Sequence, residues 1–206
     1  MPNNLVQQIE YIAGAGYLNT VNDAAIGGMV NTLTGAAYFG GQLGCRIAVD
    51  HATAAKLSDT ANVGTLYGGI YQYVQTKSGS STAPARGLAA FFASSADLQS
   101  YIVTPDVPTN GGCLAGFYIS APTKGYYCWI QIRGLAGVKF HSSITRATPA
   151  AQDMVYLTSG GGVGDEIEDA TAITDAFLRR AVGIAAEAPV ASEVKLVELW
   201  DRFLNV

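Results

Sequence analysis

Few side chains in this sequence have a wide chemical repertoire. His51 and His141 are the two histidines among 206 residues. Activating a serine needs an imidazole held against the nucleophile and oriented by a third group. Ser142 and Ser143 follow His141, but "FHSS" closes an expected strand, and the chain has no G-x-S-x-G elbow. The glycines of "SGGGVGDEIED" (159–169) resemble a phosphate cradle. No Lys-Ser/Thr pair follows them, and the acids that come next repel phosphate. Asp165, Glu166, Glu168 and Asp169 have the oxygens for Ca²⁺ but lack the spacing and closing Glu of an EF-hand. A solvated loop is expected there, with no metal and no cofactor. "YGGIYQY" and "GYYCW" gather Tyr67, Tyr71, Tyr73, Tyr126, Tyr127 and Trp129. Such rings stack on sugars or bases, or pack across strands and at subunit interfaces; packing needs fewer assumptions.

Composition narrows the choice further. Hydrophobic residues make up 49% of the chain and charged residues only 14%. A freely solvated surface usually carries more charge, so apolar surface is expected against partner subunits. Net charge is −4, and no cluster of Lys and Arg occurs, which argues against phosphate-driven binding to nucleic acid. No apolar run approaches the roughly 18 residues of a membrane span. "MPNNLVQQIE" has no basic stretch leading into an apolar one, so no secretory signal is expected. Cys45, Cys113 and Cys128 are far apart, without a C-x-x-C pair. They read as three reduced, buried thiols, with one Cys113–Cys128 bridge as the alternative.

The elements that must carry these residues fall into two textures. Residues 1–66 are Gly/Ala-rich, apolar and almost uncharged, without a clean period. They read as an arm or irregular layer lying on the rest of the chain or on another subunit. Short helices are expected around "NDAAIGGMVNTL" (22–33), capped by Asn22 or Asp23, and around "VDHATAAKLSD". From Tyr67 to the end at 206 the chain reads as a β domain. "GGIYQYVQTKSG", "ARGLAAFFAS", "SYIVTPDV", "CLAGFYISAP", "GYYCWIQIRG" and "AGVKFHSS" are short β-branched and aromatic runs separated by Gly, Pro, Ser and Asn. In "YYCWIQIRG", Cys128, Ile130 and Ile132 suit the core, and Trp129 suits its rim or a partner. "DMVYLTSGG", "RAVGIAAEAP" and "SEVKLVELW" continue the series, and a short helix is expected from Asp169 to Phe177.

The series repeats itself. "AGFYISAP" (115–122) matches "VGIAAEAP" (182–189) through Gly116 and Gly183, Ala121 and Ala188, and Pro122 and Pro189. Downstream, Ile130 meets Val197, Ile132 meets Leu199 and Gln131 meets Glu198. Upstream, 70–88 lies against 136–154, pairing Val74 with Phe140 and Leu88 with Met154. Two degenerate copies of a four-strand unit are expected, about 69–133 and 136–200. Four short strands scarcely bury an apolar face alone. Two units would close one shared core or form two linked small barrels. The fold class is thus mainly β, in barrel or sandwich units with an irregular arm.

The strands over about 66–200, from "LYGGIYQYVQTKSGSSTAPARGLAAFF" through "GYYCWIQIRG" to "VKLVELW", resemble tailed-bacteriophage capsid decoration (cement) proteins. That resemblance implies a non-enzymatic virion protein, made in the host cytoplasm, that binds the outer surface of an icosahedral shell and stabilises it. Its implied partners are the major capsid protein and further copies of itself, as a trimer in preference to a dimer. On this reading the arm buries Tyr11, Ile12, Tyr17, Leu18 and Phe39 on a neighbour, and the body oligomerises through strand faces bearing Tyr71, Tyr73, Tyr127 and Trp129. The alternative is a receptor- or glycan-binding module on a virion surface that uses the same aromatic patches.

Overall fold

A chain whose apolar residues alternate with period two makes strands, and strands must pair. A computed structural model describes residues 29–30, 37–38, 43–44, 46–57, 65–106, 113–142, 150–157, 163–166 and 181–200. In chain order they form β1 (Met29–Val30), β2 (Ala37–Tyr38), β3 (Arg46–Val49), α1 (His51–Leu57), β4 (Gly69–Thr76), β5 (Ala89–Phe92), α2 (Ser95–Gln99), β6 (Ile102–Val103), β7 (Cys113–Tyr118), β8 (Tyr127–Lys139), β9 (Met154–Leu157), β10 (Val163–Glu166), β11 (Ala181–Ala185) and β12 (Val194–Leu199). The protein is mainly β. β1 and β2 pair with each other, and the other strands join one open sheet in the order β10-β9-β11-β12-β8-β4-β3. β7 also pairs with β8, β5 with β7 and β6 with β4. Every ladder is antiparallel except β4–β6. One open sheet thus stands in place of separate small barrels.

β8 explains how one sheet holds two halves. "GYYCWIQIRG" and "AGVKF" were expected as two strands but run as one, because Gly134 (φ 87) bends the chain without ending the ladder. Gln131 pairs with both Tyr71 and Phe117, so β4 and β7 lie on opposite edges of β8. Gly134 pairs with both Gly69 and Leu199, so β12 takes over the edge that β7 leaves. The buried Gln131 amide staples the bend, its Nε2 donating to Leu135 O (2.9 Å) and Arg133 O (3.3 Å).

The strands before and after this bend follow one plan. The first half pairs β4 with β8, β8 with β7 and β7 with β5; the second pairs β8 with β12, β12 with β11 and β11 with β9. Even the irregularities correspond. Ala90 faces Gly116 and Val155 faces Gly183, each beside a register shift that leaves Ala115 or Val182 as the extra residue. Gly87 N donates to Tyr118 O (2.8 Å), as Gln152 N does to Ala185 O (2.7 Å), and both donors have positive φ, 81 and 75. Thr76 N donates to Tyr126 O as Phe140 N does to Glu193 O. By ladder position the first strand differs from the sequence alignment by two residues. Gln75 faces Tyr127 where Lys139 faces Val194, so Val74 corresponds to Val138 and not to Phe140.

Two cores result. The first contains Val74, Ala90, Phe92, Ala115, Tyr118, Ile130 and Ile132. The second contains their counterparts in the same order: Val138, Val155, Leu157, Val182, Ala185, Val197 and Leu199. Val103 of β6 completes the first core. The second is completed by Ala89, Phe91 and Phe117, on the opposite face of β5 and β7. Residues of those two strands therefore alternate between cores, which explains why "LAAFF" is apolar throughout instead of alternating.

Other expectations fare unevenly. α1 lies within "VDHATAAKLSD" as expected. The helix over 22–33 falls outside the described residues except at Met29–Val30, which form a strand. The helix from Asp169 to Phe177 also lies outside them. α2 was not foreseen; Ser94 Oγ caps it by accepting from Asp97 N (3.1 Å). Arg46–Val49, assigned to the arm, are an edge strand of the sheet. Cys113 and Cys128 are both free, so there is no bridge between them; Cys128 is buried but Cys113 is exposed. Cys45 lies outside the described residues.

Candidate functional site

The residues picked for chemistry are dispersed. His51 begins α1 and stacks on Tyr67, ring centroids 5.7 Å apart. His141 follows β8, and its carbonyl accepts from Ser192 N (3.2 Å). Asp165 and Glu166 belong to β10, not to a loop, and Glu168 and Asp169 lie outside the described residues. Among the described residues no group of three His, Cys, Asp or Glu is arranged to hold a metal ion, and no helix is long and apolar enough to cross a membrane.

The most ordered polar cluster is a loop fastening. Asp106 accepts from Ser81 N (2.6 Å), Ser81 Oγ (2.8 Å) and Thr82 N (2.8 Å). Lys124 Nζ donates to Ser80 O (2.6 Å), and Ser80 Oγ bonds Thr104 Oγ1 (2.9 Å). Partial burial pushes the Asp106 carboxyl up, but the bonds from Thr82 and Ser81 outweigh it and bring the pKa down to about 2. Each donor is already used within the fold, so the cluster ties three loops together. Nearby, Lys77 Nζ reaches Asp97 Oδ2 (2.9 Å) and holds α2 against the end of β4.

The aromatic residues expected on an outer face are largely inside. Tyr71, Tyr73 and Trp129 are at most 1% exposed, and Tyr127 is half-buried. Tyr73 sits between Tyr127 and Trp129 at centroid distances of 6.1 and 5.2 Å. Tyr71 Oη donates to Tyr67 O (2.6 Å), and burial pushes its pKa up. Trp129 is therefore neither at a rim nor on the surface of the chain. Its size and period-two position favour burial on the face of the sheet opposite Ile130. Tyr11, Ile12, Tyr17, Leu18 and Phe39 lie outside the described residues.

Among the described residues exposed apolar surface instead collects mainly on the second half, with Leu98 of α2 standing apart in the first. Ile184, Val194 and Trp200 are 36–38% exposed, and Leu135, Leu196 and Met154 are half-buried. The ladders place them together: Ile184 faces Met154 on one side and Glu198 on the other, and Glu198 faces Leu135. Beside this face is a shallow apolar cleft where β7 gives way to β12, lined by Leu114, Phe117, Ile132, Val182, Leu199 and Trp200. Sequence reading missed the face because it weighted aromatic rings over aliphatic residues. The signal was present in the repeat, which sets Trp129 against Leu196 and Gln131 against Glu198.

No protein-family model matches the chain. No curated protein matches it either. Among solved structures it is similar to the N base of the head fibre gp8.5 of bacteriophage phi29, at 13% identity. The match covers 64% of this chain and 93% of that one, with a TM-score of 0.35, a likeness too slight to carry an argument about fold or role.

Proposed function

We propose that this chain is a non-enzymatic structural protein of a tailed-phage virion that binds the outer surface of the icosahedral shell and stabilises it. The observation that carries the reading is the use made of its side chains. Tyr71, Tyr73 and Trp129 fill the interior, and Asp106, Ser81 and Lys124 fasten loops, while aliphatic residues remain on an outer face. That distribution suits a protein that works by covering another protein. It disfavours the glycan-binding alternative, whose stacking platform requires these rings at the surface. The resemblance of the strand series to decoration proteins supports the virion setting and the major capsid protein as partner. We also infer that the two halves are copies of one unit, supported by their matched pairing order, bulges and core positions.

Binding would be tested with the full chain and empty shells assembled from the major capsid protein of the same virion. The expected result is saturable co-sedimentation and a raised melting temperature of the shell. Tyr17→Asp and Leu18→Asp in the arm should weaken binding without altering the far-ultraviolet circular dichroism. A chain that stays in the supernatant at all concentrations would sink the proposal.

A further inference from the structure

Corresponding positions on the outer faces of the two halves have different fates. In the first half, Phe117, Trp129 and Gln131 are all buried. Their counterparts in the second half are Ile184, Leu196 and Glu198, which are exposed or half-buried. Part of the first face is covered by the second core itself, through Ala89, Phe91 and Phe117. The same protein thus already uses this face, in its other half, as an interface.

The charges on the uncovered face say what fits it. Lys139 lies opposite Val194 at one end of β12, and Glu198 lies opposite Leu135 at the other. An Arg86 guanidinium nitrogen lies 3.6 Å from where a Cβ of Gly137 would be, which sets a second positive charge between the Lys139 end and the centre, where Gly137 pairs with Leu196. The two ends of the face are separated by four residues of β12, about 13 Å at the rise of a strand. The face is therefore basic over its Lys139 half and acidic at its Glu198 end, with Val194, Leu196 and Ile184 spaced along it. Turned over on itself about a two-fold axis across the strands, such a face brings each basic end beside the partner's acidic end and stacks aliphatic centre on aliphatic centre.

We propose that the face of β8, β11 and β12 bearing Ile184, Val194, Leu196, Lys139 and Glu198 is a two-fold contact with a second copy of this chain. It rests on geometry and charge within the chain and holds whether or not the chain binds a shell. It gives even-numbered assemblies in place of the trimer implied by resemblance.

The test is sedimentation velocity and light scattering on the full chain between about 1 and about 100 μM, suited to a contact of this small size. The wild type should double its mass across that range. Ile184→Lys and Val194→Glu each put a charge opposite one of the other sign, Glu198 and Lys139, so both should fold, and unchanged circular dichroism would show it. Each should raise the dissociation constant at least about tenfold. Lys139→Glu and Glu198→Lys should each weaken the dimer, and the double exchange in one chain should restore it. A wild type that stays monomeric, a mass of three chains, or a double exchange no better than either single change would overturn the proposal.

Discussion

A methyl group added at Gly116 tests the shared plan of the two halves directly. A Cβ there would lie 2.6 Å from Gln131 O and 3.0 Å from Ile132 Cγ2. Ordinary carbon–oxygen contacts fall near 3.3–3.6 Å, so something must move by about 0.7 Å. The obstacle is a backbone carbonyl of β8, a strand held by β4 on its other edge, and cannot swing aside as a side-chain tip would. The cost of such overpacking is about 1–3 kcal/mol. With backbone as the obstacle, Gly116→Ala should sit toward the top of that range. At about 2–4 °C per kcal/mol for a chain of this size, the melting temperature should fall by about 4–12 °C. Gly183→Ala should cost at least as much, because its Cβ would meet Glu198 O, the counterpart of Gln131 O, at still closer range. Gly79→Ala is the control, with nothing within 4 Å of its Cβ, and should stay within about 0.5 kcal/mol of wild type. Urea unfolding followed by tryptophan fluorescence reads all three. If Gly116→Ala and Gly79→Ala unfold at the same midpoint, close strand approach at the bulge is not what fixes that glycine.

Four further outcomes follow from the geometry. Phe117→Ala empties a site shared by β7 and the second core and should cost about 3–5 kcal/mol in urea unfolding. Ile184→Ala, at the corresponding but exposed position, should cost about 0.5 kcal/mol or less in the dilute chain. The folded pKa of Asp106, about 2, lies below the unfolded value of about 3.9. Its stabilisation is therefore complete above the unfolded value and is lost as pH falls through the folded one. Stability profiles of wild type and Asp106→Asn should converge between about pH 4 and about pH 2; parallel profiles would contradict the assignment. Iodoacetamide should label exposed Cys113 in the native chain, whereas Cys128 is buried and its thiol pKa is pushed up by that burial. Peptide mapping that finds Cys128 modified at the rate of Cys113 would refute the packing of the first core.

Much of the β body could be read from local pattern. Cys128, Ile130 and Ile132 alternate with Trp129 and Gln131, and that period placed the first three in the core, where they lie. Local pattern failed where a third party decides the outcome. Gly134 looks like a strand terminator because glycine often ends strands. It does not end β8, because β4 and β12 occupy opposite edges on either side of it and keep the ladder continuous. Likewise "LAAFF" gives no alternation, because Ala89 and Phe91 enter one core while Ala90 and Phe92 enter the other. The two-residue difference in aligning the first strands has the same origin. Polar loops carry no register information, whereas the ladder fixes Val74 against Cys128.

The outer faces show why residue type alone is a poor guide to which side chains stay exposed. Aromatic richness pointed to Tyr71, Tyr73 and Trp129, but a large ring stabilises most where it is fully enclosed, and the chain encloses all three. A surface that must stay soluble before it meets its partner cannot carry rings of that size without risking indiscriminate association. Smaller aliphatic residues bracketed by Lys139 and Glu198 meet that condition. They contribute less area per residue, and in the proposed contact the flanking charges would favour one orientation.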